Sequence, residues 1–312
     1  MAMNKWTFFK KASRFGVIPV MIVPVVLGAL GAFVWEDVFH PFLFILTFIG
    51  AAAAHLFSNM VNDLWDYRSG ADMEAKNTPG VITTNSGFLS GGLISERRFA
   101  LLTWGLLLLA VLCGAALAFY AGWQVLWFVA GGALLAYFYV APPLRFGYRG
   151  KGYSELAIFV AFGLMPVLGS YFVQTGHFGI KPVLLSLPVG LLTTLLLFNH
   201  HFLHWSADKQ AGKQTLVVVL GEARALVFSR ILLYTAYVSL VVCVGIGVLP
   251  VYALLALLTA IRPIGVYRGL KRHNASPAYL PLMGASRQAS IRCGTIMAAA
   301  LLIQGLVGNY WS

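Results

Sequence analysis

The sequence predicts an all-α, polytopic membrane helical bundle, with about nine transmembrane helices and its polar chemistry near the cytoplasmic face. Three observations predict it. The 312 residues are 59% hydrophobic and 10% charged, with a mean hydropathy of +0.80, where a soluble domain carries about a quarter charged residues. The apolar residues fall in repeated runs of about 20, which suits spanning helices and not barrel strands. The polar chemistry collects in the loops of one side.

Residues 1–14 open the chain as a basic arm, with Lys5, Lys10, Lys11 and Arg14 among aromatics, suited to an anionic cytoplasmic surface. Nine apolar segments follow, at 15–35, 41–62, 99–119, 122–140, 155–175, 183–203, 223–246, 249–267 and 290–311. The first leads into Glu36 and Asp37 and not into a small-residue cleavage site, so it reads as a span and not a signal peptide. When the first helix starts in the cytoplasm and the rest alternate, Lys181 is the only one of 22 Lys and Arg in a far-side loop. That agreement predicts a plasma (inner) membrane protein with a cytoplasmic N-terminus and an outside C-terminus. The connections near Glu36, Ala121, Thr175 and Gly247 are short, while the cytoplasmic ones, 63–98, 141–154, 204–222 and 268–289, are longer. The net charge of +12 follows this topology and excludes a nucleic-acid partner. Cys113, Cys243 and Cys293 sit alone in apolar segments and read as packing residues. No linker divides the chain, so residues 1–312 read as one domain.

Three clusters carry candidate chemistry. In HLFSNMVNDLWDYRSGAD, residues 55–72, Asn59, Asn62, Asp63 and Asp66 share one helical face. Acids and amides at a membrane edge mark a functional site, and an oxygen-rich face suits a hard dication such as Mg²⁺. The following loop holds Arg68, Asp72, Lys76 and several glycines, and is long enough to be a lid or binding loop. A second cluster ends the sixth segment: His200, His204 and Asp208 are four apart and share a face, with His201, Lys209 and Lys213 beside them. The third follows the fourth segment, with Tyr139, Pro142, Pro143, Arg145, Tyr148, Arg149, Lys151 and Glu155. Arg forks suit phosphate oxygens. Carboxylates hold an anionic diphosphate through metal ions, while Arg and Lys neutralise the remaining charge. An apolar interior takes a hydrocarbon chain, and aromatics face a developing carbocation. Together these clusters predict ionisation of a lipid diphosphate near the cytoplasmic interface.

Between residues 55 and 222 the pattern resembles the UbiA superfamily of intramembrane prenyltransferases, and within it the 1,4-dihydroxy-2-naphthoate polyprenyltransferases. The matching stretches are NMVNDLWDYRSGAD, then Tyr139 with APPLRFGYRGKGYSE, then Gly163, Gly169 and YFVQTG, then DKQAGKQTLVVVLG from Asp208 to Gly221. The resemblance implies a helical bundle around a central cavity open near the cytoplasmic face, and transfer of a polyprenyl group from a prenyl diphosphate to an aromatic, naphthoate-like acceptor in menaquinone-type quinone biosynthesis. It also implies Mg²⁺ on Asp63, Asp66 and Asp208, with Asn59 and Asn62 in support. Arg145, Lys209 and Lys213 become diphosphate partners, with Arg68, Asp72, Lys76, Arg149 and His200 further substrate contacts. Tyr139 and Tyr148 would face the reacting centre. A UbiA-type terpene cyclase, or a prenyltransferase with another acceptor, is the alternative. A transporter is disfavoured, because no internal repeat is present and the polar clusters lie at one interface and not at the midplane.

One departure stands out. The resemblance leads to Asn-x-x-x-Asp-x-x-x-Asp in the second motif, where this chain has His200, His204 and Asp208. Neutral imidazole is a poor Mg²⁺ ligand. Three readings follow: Asp208 alone serves the second metal with water and phosphate, the metal preference has moved, or His204 acts as a base on the acceptor. The first is favoured for metal binding.

Overall fold

The computed structural model describes residues 4–70, 86–210 and 212–311. Its helices, in chain order, are α1 (Lys5–Ala12), α2 (Pro19–Glu36), α3 (Pro41–Arg68), α4 (Glu96–Ala121), α5 (Val125–Phe138), α6 (Tyr153–Thr175), α7 (Ile180–His201), α8 (Trp205–Gln210), α9 (Leu216–Leu220), α10 (Glu222–Gly245), α11 (Val251–Gly269) and α12 (Leu280–Trp311). Among the described residues, eight helices are long and apolar enough to cross a membrane. The fourth predicted segment, 122–140, folds as α5, whose 14 residues rise about 21 Å, short of a hydrocarbon core about 30 Å thick. Gly122 and the turn after it use up the start of the apolar run, and Tyr139 ends it. The last helix departs the other way, beginning ten residues before the predicted start at 290. Arg287 and Arg292 interrupt the apolar pattern there, yet both lie on the exposed side of α12, so the helix continues through them.

The packing explains the bundle. α3 lies along α4, α2 against α6 and α12, and α7 against α10 and α12. Two glycines let one helix meet the backbone of the next. A Cβ on Gly28 of α2 would stand 2.2 Å from the Val167 carbonyl oxygen on α6, and one on Gly163 of α6 would stand 2.5 Å from the Gly190 Cα on α7. Small residues allow helices without a hydrophobic driving force between them to meet at backbone distance. Gly163 lies in a π turn, Val160–Leu164, that interrupts α6.

The main core joins α7, α10, α11 and α12 around Leu192, Phe198, Leu233 and Met297. A polar staple runs through it. Asn199 Nδ2 donates to Tyr267 Oη at 3.2 Å and Ser286 Oγ at 2.8 Å, while its Oδ1 accepts from Ser229 Oγ at 2.5 Å. A smaller core (Ala12, Met60, Leu64, Phe88, Leu89, Phe99) fastens α1 and the 86–95 segment to α3 and α4. The outer faces are apolar: Leu101, Leu108, Phe119, Trp127, Val238 and Ile261 are all exposed. An uncovered belt of this extent belongs in hydrocarbon, so the chain is an integral membrane protein.

Between α2, α3, α4, α5 and α6 lies an apolar cavity of about 160 Å³, walled by Gly50, Ala54, Phe57, Val129, Ala133 and Ala161 among others. Phe57 and Ala136 on its wall stand within one helical turn of Asn59 and Tyr139. The cavity therefore meets the polar clusters at one end of the bundle.

Candidate active site

α3 is helical through Arg68, so Asn59, Asn62, Asp63 and Asp66 stand on its last three turns. Asp63 is buried, 2% exposed. One of its oxygens pairs with the Arg14 guanidinium, and the other accepts from the Ser86 backbone N–H at 2.9 Å. Asn59 Nδ2 donates to the Ser13 carbonyl at 3.0 Å. The corner between α1 and α2 is thereby bolted to the acidic face of α3. Arg14 adopts φ +52°, in the left-handed region, which costs a non-glycine residue about 1–2 kcal/mol. The ion pair with Asp63 offsets that cost.

Asp66 links the other two clusters. Tyr148 Oη donates to Asp66 Oδ1 at 2.8 Å, and Lys213 Nζ stands 3.8 Å from the same oxygen. Lys213 Nζ also lies 4.3 Å from the centre of the Tyr148 ring, and the Gln214 N–H donates to the Tyr148 carbonyl at 3.1 Å. Burial, then the adjoining Asp66, holds the Tyr148 phenol well above its ordinary pKa, so it remains a donor. Asp208 lies on α8. Burial pushes its carboxyl up to about 6, with Lys213 opposing and Asp66 adding to the rise. Asp66 and Asp208 thus face one basic side chain, Lys213, from two distant parts of the sequence.

The histidines cluster behind this face. His204 Nε2 lies 3.4 Å from His200 Nε2. Burial, with Lys213 and Arg14, depresses His204 to about 4, so it is neutral at pH 7. His201 turns the other way, with Nδ1 3.9 Å from Glu155 Oε1 on α6. Tyr139 ends α5, and its hydroxyl is buried without a hydrogen-bond partner among the described residues.

Asn59, Asn62, Asp63, Asp66, Tyr139, Tyr148, His200, His204, Asp208 and Lys213 are therefore gathered at one end of the bundle. Arg68 is not among them: its Nε pairs with Glu96 Oε1 at 2.7 Å, and it is exposed outside α3 and α4. Arg145 and Lys209 are exposed, and the exposed Arg149 donates to the Pro143 carbonyl at 3.0 Å. Asp72 and Lys76 lie outside the described residues. Arg14 and the Ser86 N–H join the site unannounced by the sequence. Arg14 looks there like one more cation of the basic arm, and a backbone donor leaves no trace in residue identity.

Among the described residues, no three His, Cys, Asp or Glu side chains form a ready-made metal cage. Mg²⁺ seldom uses one; it takes one or two carboxylates and completes its shell with water and substrate phosphate. The donors here fit that habit. Asn62 Oδ1 is buried with no partner among the described residues, beside Asp63 and Asp66, and all are hard oxygens.

The fold and this site define a class: a helical membrane protein whose apolar cavity ends in carboxylates, amides and cations. The chain belongs to the UbiA prenyltransferase family, which it matches over residues 21–283, and is a prenyl-transferring enzyme. It is 30% identical over 230 residues to the 2-carboxy-1,4-naphthoquinone phytyltransferase of Synechocystis, covering 74% of this chain and 70% of that one. It is 27% identical over 303 residues to the 1,4-dihydroxy-2-naphthoate octaprenyltransferase of Escherichia coli, covering 95% and 93%. The structure of a UbiA homolog from Archaeoglobus fulgidus bound to DMAPP and Mg²⁺ superposes with a TM-score of 0.63, at 18% identity over 93% of this chain and 99% of that one. That likeness establishes the fold.

Proposed function

We propose that this enzyme transfers a polyprenyl group from a prenyl diphosphate to 1,4-dihydroxy-2-naphthoate, in menaquinone-type quinone biosynthesis, with Mg²⁺ and at the cytoplasmic membrane face. One observation carries the reading: Asp66, from the first acidic motif, is joined to Lys213 and Tyr148, from two other motifs, at the end of an apolar cavity. The naphthoate acceptor is supported by the names of the relatives from Synechocystis and Escherichia coli, and Mg²⁺ by the oxygen donors and the Archaeoglobus homolog.

Asp63, Asp66 and Asp208 would hold Mg²⁺, with Asn59 and Asn62 in support. Bound there, the cation would supply positive charge to the diphosphate leaving group. Lys213 and Arg14 supply further charge from the protein itself, Arg14 at Asp63 and Lys213 at Asp66. Tyr148 orients Asp66 through its hydrogen bond and turns its ring toward Lys213. The cavity takes the isoprenoid chain and keeps water from the allylic end. His204, neutral at pH 7, is a weak base in this setting, which favours Asp208 as the second motif's contribution. Product analysis by mass spectrometry, with a panel of prenyl diphosphates and acceptors with and without Mg²⁺, tests the reading. Prenylated naphthoquinol formed only with the naphthoate and Mg²⁺ is the expected result; a cyclised hydrocarbon formed without acceptor refutes it.

A further inference from the structure

We propose that Glu155, His201 and Tyr139 form the subsite that receives a hydroxyl of the aromatic acceptor; this rests on the transferase reading above. Glu155 stands in the first turn of α6 and is 6% exposed. Its Oε2 accepts from Ser154 Oγ at 2.7 Å. Its Oε1 has no hydrogen-bond partner among the described residues, and neither does His201 Nδ1, which faces it at 3.9 Å. The Tyr139 hydroxyl is orphaned as well. It lies where the charges of Glu155, Asp208 and Asp66 all act on it, in that order.

Buried polar atoms are nearly always paired, so the two orphaned atoms that face each other here call for a group that completes them. The Glu155–His201 gap is too long for a direct hydrogen bond, but an oxygen about 2.8 Å from both atoms closes an angle of roughly 90° between them. A hydroxyl fits that place. It donates to Glu155 Oε1 and accepts from His201 Nδ1–H or from Tyr139. A diphosphate does not fit, because it offers only acceptors and negative charge to a carboxylate.

The position also suits the reaction. The charges of Glu155, Asp208 and Asp66 all act on Tyr139, which puts an acceptor held here on the side of the bundle where the diphosphate groups stand. The hydroxyl proton passes to Glu155 while its electron pair enters the ring. The ring carbon bonds the allylic carbon, and the allylic C–O bond breaks with its pair leaving on diphosphate. Loss of CO2 from that ring carbon returns a pair to the oxygen, which takes the proton back from Glu155.

The test compares Glu155→Gln, Glu155→Asp and Tyr139→Phe with the unmodified full chain in detergent, using a prenyl diphosphate, 1,4-dihydroxy-2-naphthoate and Mg²⁺. Glu155→Gln should raise the acceptor KM at least tenfold and lower kcat, while the KM for the prenyl diphosphate moves less than twofold. Glu155→Asp should recover part of the loss, and Tyr139→Phe, which keeps the ring, should raise the acceptor KM alone. An unmoved acceptor KM, or two KM values rising together, overturns the subsite in favour of a structural pair bridged by water. Unmodified protein that prenylates no hydroxylated aromatic overturns the proposed function and the subsite with it.

Discussion

Tyr148→Phe removes one oxygen and isolates the bond that joins the acidic face of α3 to the basic loop. The bond is 2.8 Å long and its acceptor is a carboxylate oxygen of Asp66. Hydrogen bonds to charged groups contribute about 1.5–3 kcal/mol. At about 1.4 kcal/mol per factor of ten, kcat/KM for the prenyl diphosphate should fall by roughly 10- to 150-fold. The ring stays, so the contact of Lys213 with its face, at 4.3 Å, remains, and so does the backbone bond from Gln214. The loss therefore reports on the orientation of Asp66 and not on a collapsed loop. The assay is transfer of a labelled prenyl group in detergent, titrated with Mg²⁺; the variant should also need more Mg²⁺ for half-maximal rate. A variant within twofold of the unmodified enzyme at limiting Mg²⁺ would refute the assignment of Asp66 as a held ligand.

Arg14→Met leaves the buried Asp63 with the Ser86 N–H alone; a stranded buried charge costs about 3–5 kcal/mol, reduced here because Arg14 is 26% exposed. In thermal unfolding, Arg14→Met combined with Asp63→Asn should cost clearly less than the sum of the two single changes, and strict additivity would deny the pair. With pH, Asp208 near 6 lies above its ordinary 3.8, so the native state takes a proton first and this group adds stability as pH falls through 6. His204 near 4 lies below its ordinary 6.5, so the unfolded chain takes a proton first and stability is lost as pH falls from 6.5 toward 4. The two oppose each other, so His204→Gln should raise the melting temperature at pH 5 relative to pH 7, measured against the unmodified protein, while the transfer rate declines below about 6. Ala133→Phe fills the cavity wall and should shift product mass toward shorter prenyl chains; an unchanged preference would place the chain elsewhere.

The bundle was legible because a membrane leaves little choice: runs of about 20 apolar residues become helices. Length failed where charge or glycine edited the pattern, as at α5 and at the start of α12. The acidic face was legible for the same geometric reason, since offsets of three, four and seven stay on one side of a helix. That rule also disposes of Arg68. Two residues beyond Asp66 is about 200° around the helix, and Arg68 duly points outward to Glu96. Its charge suggested a phosphate partner, but its phase did not. Lys209 and Lys213 carried equal weight in the sequence, and the turn between them sends only Lys213 inward. Arg14 was out of reach because its role comes from a left-handed corner and a partner 49 positions away.

The backbone bond from Gln214 to Tyr148 bears on how this enzyme could be altered by exchange of parts. The loop after α5 and the loop after α8 are far apart in the chain, yet each supplies the other's alignment through one amide and one cation–ring contact. Transplanting either loop from a relative would import side chains shaped for a partner left behind. A productive chimera would carry both loops together, and single-loop grafts would show defects that the second graft repairs.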